Sequence, residues 1–108
     1  FLFEFGALEG RYRAGEAWVR SICESAEAEA TRDGAISAVT ANLVREACRH
    51  VNQGGADIVR QAYLLAGTKG LREGPIQRGF RDLHAGSQHF FASPSAAIDL
   101  TRSLLAER

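Results

Sequence analysis

Methionine is missing altogether from the 108 residues, and the chain opens Phe1-Leu2-Phe3-Glu4-Phe5 without an initiator. That register reads as the interior of a longer polypeptide, with a helix entered partway. The opening is too short and too interrupted by Glu4 for a membrane span, and it lacks the charged flank and small-residue cleavage site of a signal peptide. Excess charge of either sign is lacking too: thirteen basic residues balance thirteen acidic ones, which argues against a nucleic-acid module. Cysteine is scarce. Cys23 and Cys48 have neither CxxC spacing nor a nearby ligand set, so no zinc site and no disulfide framework is indicated, and two buried, reduced thiols in a cytoplasmic protein are expected. No strand-like alternation, tandem repeat or linker occurs, and no nucleophile elbow, P-loop, GxGxxG or metal-ligand cluster.

What is present is helical periodicity over one domain, residues 1–108, long enough to bury a modest core. Leu8, Tyr12, Val19, Ile22, Ala26 and Ala30 recur at three, four or seven, one stripe of an amphipathic first helix. Glu16 and Arg20 form a favourable pair one turn apart, and Trp18 at the stripe's edge suits a helix–helix or subunit contact better than a cofactor stack. Gly34 ends that helix in a left-handed conformation. Ser37 or Thr40 caps a second, whose stripe is Leu43, Ala47, Val51, Gly54, Ile58, Ala62 and Leu65. Gly54 and Gly55 in its middle cost about 1 kcal/mol each relative to alanine, and close approach of another helix or a ligand is the usual reason for accepting that. A loop from Ala66 to Gly70 follows.

Pro75 opens a third helix with Gly74 as its cap, and its stripe is Phe80, Leu83, Ser87 and Phe91. Continued to His89, this helix would put the imidazole about 12 Å along the axis from Arg81, on a neighbouring face. Ser93-Pro94 reads as cap and first turn of a fourth helix, with Ala97, Ile98, Thr101, Leu104 and Leu105 on its apolar side. The architecture is all-α, antiparallel helices joined by short turns. The first third of the chain is acid-rich, whereas Lys69, Arg72, Arg78 and Arg81 stand against Glu73 alone. An anionic ligand would bind there, although a solvated basic face is the plainer reading. Structural ion pairs with another helix are expected for Arg81 and Asp82. His50 reads as solvent-facing, His84 is ambiguous, and His89, beside Phe90 and Phe91, is either a satisfied core or interface histidine or a proton-handling group in a dry pocket.

The run Gly67…Pro75-Ile76-Gln77-Arg78…Arg81-Asp82…His89, preceded by two long helices, resembles the C-terminal helical domain of the acyl-CoA dehydrogenase-like flavoproteins. The resemblance extends from about Gly6 to Leu105 and covers that domain only. In the family this bundle comes after an N-terminal helical domain and a middle β-domain, and it helps form the flavin site and the tetramer core. Its first helix is expected to be missing here. FMN or FAD is accordingly expected in the longer parent and not in the fragment alone, which would be inactive.

Two branches are distinguished by the residues C-terminal to Arg81-Asp82. In the acyl-CoA dehydrogenase branch a Tyr-Glu-Gly-Thr motif supplies the carboxylate that removes the substrate's α-proton; those places hold His89, Phe90, Phe91 and Ala92. The family's glutamine ahead of its glycine loop is replaced as well, by Tyr63 ahead of Ala66-Gly67. Phenylalanine cannot take a proton. In the two-component flavin-dependent monooxygenases, which act on aromatic, steroid-derived or sulfur-heterocyclic compounds, a histidine stands eight residues after that arginine, as His89 does. The resemblance implies an imidazole beside the flavin, a flavin reductase as partner, and Gly67, Lys69 and Arg78 facing flavin phosphate or a neighbouring subunit. The alternatives are a dehydrogenase acting on CH–CH groups and a non-catalytic helical oligomerisation module. Under either, self-association as a homodimer or tetramer is expected through apolar helix faces, with neither nucleic acid nor membrane as a partner.

Overall fold

A computed structural model describes residues 1–89 and 93–108. Among these residues four α-helices succeed one another: α1 Leu2–Asp33, α2 Ala38–Leu65, α3 Pro75–Gly86 and α4 Ser95–Ala106, with a short 3-10 turn over Gly67–Leu71 between α2 and α3. Strands are absent among the described residues. At 1.5 Å per residue α1 is about 48 Å long, and it sets the long axis of a molecule 52 Å by 25 Å by 24 Å.

The turn between α1 and α2 uses the residues expected of it. Gly34 takes φ 78° and returns its N–H to the Ala30 carbonyl, a conformation that a side chain would strain. Ser37 caps α2 by accepting the Thr40 N–H at 3.1 Å. Glu29 ties the hairpin shut by accepting the Ser37 N–H at 2.6 Å and the Thr40 hydroxyl. Those two bonds, the hydroxyl first, hold the Glu29 carboxyl below the usual carboxylate range. Its lowered value means a stability contribution that is present above the ordinary carboxylate pKa and lost as pH falls through the folded-state value. Glu29→Gln should therefore melt below the parent at neutral pH, and the gap should close in acid; thermal melts at the two pH values check it.

Residue numbers on α1 fall as those on α2 rise along their contact, so the two are antiparallel: Arg11 meets Asp57 at 3.5 Å, a Cβ on Gly15 would meet Val51 at 3.1 Å, and the Trp18 ring meets His50 edge-on at 5.3 Å. At Gly15 the helices are close enough that even alanine would force Val51 to move. Both shorter helices run antiparallel to α2 and succeed each other along it. On α3, the Phe80 ring packs tilted against Tyr63 at 4.9 Å and Leu83 lies against Gly55. On α4, Asp99 pairs with Arg45 at 3.0 Å, and the Asn42 amide donates to the Ser103 hydroxyl at 3.0 Å. The third and fourth helices therefore stack end to end on α2 and make no hairpin with each other.

Several expectations need correction. Ile98, Leu104 and Leu105 of α4 are exposed, and the face turned to α2 carries Ala96, Asp99 and Ser103, because Asn42 and Arg45 offer that face polar partners. The fourth helix starts at Ser95, with Pro94 as its cap residue. Cys23 is exposed because Ile22 and Ala26 take the inward positions on α1, whereas Cys48 is half-buried; both thiols are free. Arg81 and Asp82 are exposed and form no ion pair among the described residues, since Phe80, Leu83 and His84 occupy the inner face of α3.

Burial is shallow. Among the described residues the buried apolar side chains are Leu8, Ala47, Ala56 and Ala96, and no large side chain is fully enclosed. Phe1, Leu2, Phe3 and Phe5 near the start of α1 remain exposed, as do Leu64 at the neighbouring end of α2 and Leu71 at the end of the 3-10 turn. No helix among the described residues is long and apolar enough to cross a membrane.

Candidate functional site

The candidate residues divide between the two ends of α3. Gly67 starts the 3-10 turn with φ 59°, Lys69 lies within that turn, and Arg78 is in the first turn of α3. Gly70 seats the turn: a Cβ there would meet the Tyr63 carbonyl at 3.1 Å and its ring at 3.3 Å. Lys69 and Arg78 are exposed, and neither forms an ion pair among the described residues. Two exposed cations thus stand near a helix start that no side chain caps, a setting whose chemistry would suit an anionic group.

His89 lies beyond the other end. The helix stops at Gly86, not past His89 as the apolar stripe implied, so the imidazole is not carried on a helix face. Glycine weakens the last turn, and Ser87 finishes it by donating its hydroxyl to the His84 carbonyl at 2.8 Å. The chain then winds through two further turns, Gln88 N–H to the Ala85 carbonyl at 3.2 Å and His89 N–H to the Gly86 carbonyl at 3.0 Å. Ser87 is 8 % exposed, whereas His89 is exposed. Phe90 and Phe91, on which the expectation of a dry pocket rests, and the Phe91 end of the apolar stripe lie outside the described residues, as does Ala92.

Between Arg78 and Gly86 the helix rises about 12 Å, so the cationic end and His89 are separate places that only a ligand spanning the length of α3 would join. On its inner face His84 donates Nδ1–H to the Phe80 carbonyl at 2.8 Å and stacks on Phe80 at 4.2 Å. The carbonyl can only accept, so Nδ1 carries the proton in this bond. Sequence alone leaves His84 open; its spacing of four from Phe80 is the signal that could have placed it.

A groove of about 720 Å³ opens between α1 and α2, floored by Val19, Val51, Ile58 and Leu83. Gly54 faces this space with nothing within 4 Å of a would-be Cβ, and a Cβ on Gly55 would meet Leu83 at 3.7 Å, ordinary van der Waals contact. The close approach expected at the glycine pair is therefore not found: either position has room for a Cβ within the described structure. His50 lines the groove and is exposed as expected, with Trp18 against its ring. One turn earlier, Glu46 accepts two bonds from Arg49 at 2.6 and 2.8 Å, which hold its carboxyl below the usual range.

The model of the family described as acyl-CoA dehydrogenase, C-terminal domain, matches residues 1–94 of this chain. No curated protein and no solved structure gives a significant match.

Proposed function

Since this chain belongs to the acyl-CoA dehydrogenase C-terminal domain family, which is flavin-dependent, we propose that it serves a two-component flavin-dependent monooxygenase that hydroxylates an aromatic or polycyclic substrate. The observation that carries the reading is a substitution in sequence: Phe90 stands where a dehydrogenase needs its carboxylate, and His89 stands eight residues after Arg81. A reduced flavin, when bound, would supply the electrons for oxygen activation. Its protein partner must then hold a proton-active group nearby and keep water away, or reduced oxygen escapes as hydrogen peroxide. His89 is that group in this reading, and Lys69 and Arg78, with the turn at Gly67, meet the flavin phosphate. A flavin reductase supplies the reduced cofactor.

Exposed apolar side chains at both ends of the helices, Phe3, Leu64 and Leu105 among them, support self-association as part of the same proposal. The reading is tested by adding acyl-CoA thioesters anaerobically to the flavin-loaded full-length protein. The flavin should stay oxidised; bleaching by a thioester would move the protein to the dehydrogenase branch.

A further inference from the structure

Ser87 is the buried polar residue among those described, and it sits two positions before His89. Its N–H continues the helix to the Leu83 carbonyl at 3.0 Å and its hydroxyl closes the last turn on His84. Its carbonyl is bound from outside: the Gln53 amide of α2 donates to it at 3.3 Å. The neighbouring Gly86 lies against the Asn52 side chain, which a Cβ would approach to 3.6 Å. The backbone that leaves α3 is therefore pinned to α2 just before the turn, closed by the His89 N–H on Gly86, that presents the imidazole.

We propose that Gln53 is a positioning residue for His89, acting through the Ser87 carbonyl; this rests on His89 being the proton-handling group. The Gln53 bond gives the turn a fixed point on α2, and a histidine displaced by about 1 Å from its working place can cost up to 10²-fold in rate. Gln53 itself is exposed on α2, so replacing it should leave the helices intact.

The test uses the full-length protein with reduced FMN or FAD, oxygen and a panel of phenolic and polycyclic aromatic compounds, reading hydroxylated product per oxygen consumed. Gln53→Glu keeps the shape but replaces the donating amide with an acceptor that repels the Ser87 carbonyl. It is expected to lower kcat and product yield about tenfold with KM for the aromatic compound unchanged, and with unchanged thermal unfolding. Gln53→Lys, which restores a donor, should recover most of the yield. If His89→Ala uncouples the reaction while Gln53→Glu behaves as the parent, the positioning role is overturned and the role of His89 stands. If His89→Ala also leaves the product yield unchanged, both fall.

Discussion

Ala47→Asp should abolish the cooperative helical fold. Ala47 is fully enclosed and lies on the α2 stripe with Val51 and Ile58, facing α1. A carboxylate there either ionises without a partner or folds neutral at the expense of its ordinary hydration, a cost of roughly 3 kcal/mol or more. Total stabilities of about 5–15 kcal/mol are usual for domains, and this one has a thin core: among the described residues, three of the four buried apolar residues are alanines. Circular dichroism and thermal melts should show loss of the transition. Ala47→Ser, whose hydroxyl can bond back to the carbonyl one turn earlier, should lose only a fraction of that. An aspartate variant melting within a few degrees of the parent would show that α1 and α2 are not held together along this stripe.

The second large effect is on chemistry. His89→Ala in the full-length protein should cut product formation by about 10²–10⁴-fold, the range that a positioned proton donor or acceptor contributes, and should raise hydrogen peroxide release in step. His89→Asn, which keeps hydrogen bonding but cannot exchange a proton near neutral pH, separates the two uses of an imidazole. Rescue by asparagine would assign hydrogen bonding to the oxygenated cofactor; continued loss would assign proton transfer. Because His89 is exposed and lies beyond the end of α3, neither variant should alter helix content.

Helix limits were legible wherever a residue with special backbone chemistry marked them. Gly34, Ser37, Gly67 and Pro75 each stand where the structure turns, caps or starts a helix. The end of α3 was hidden because its apolar spacing runs on past Gly86, while the decision is made by a serine hydroxyl returning to the backbone. The inner face of α4 was hidden for a different reason. Its strongest apolar stripe includes Ile98 and Leu105, yet polar partners on another helix, Asn42 and Arg45, select the opposite face.

The candidate site was legible only as a set of residues. Sequence placed Gly67, Lys69, Arg78 and His89 within one stretch, and a 12-residue helix then puts most of its length between the cations and the imidazole. The Gln53 bond to Ser87 joins residues 34 positions apart, a pairing no local pattern announces. The glycine pair at 54 and 55 suggested close approach, yet the tight contact between α1 and α2 falls at Gly15 against Val51, while Gly54 faces the open groove.

The central claim, that His89 serves oxygen chemistry on a flavin, is tested most directly by rapid mixing of the full-length protein and reduced FMN or FAD with oxygen, without substrate. The account predicts a lag before the oxidised-flavin spectrum and hydrogen peroxide appear, shortened or lost in His89→Ala. Immediate oxidation at the rate of free flavin with both reduced cofactors, the same for parent and variant, would contradict it.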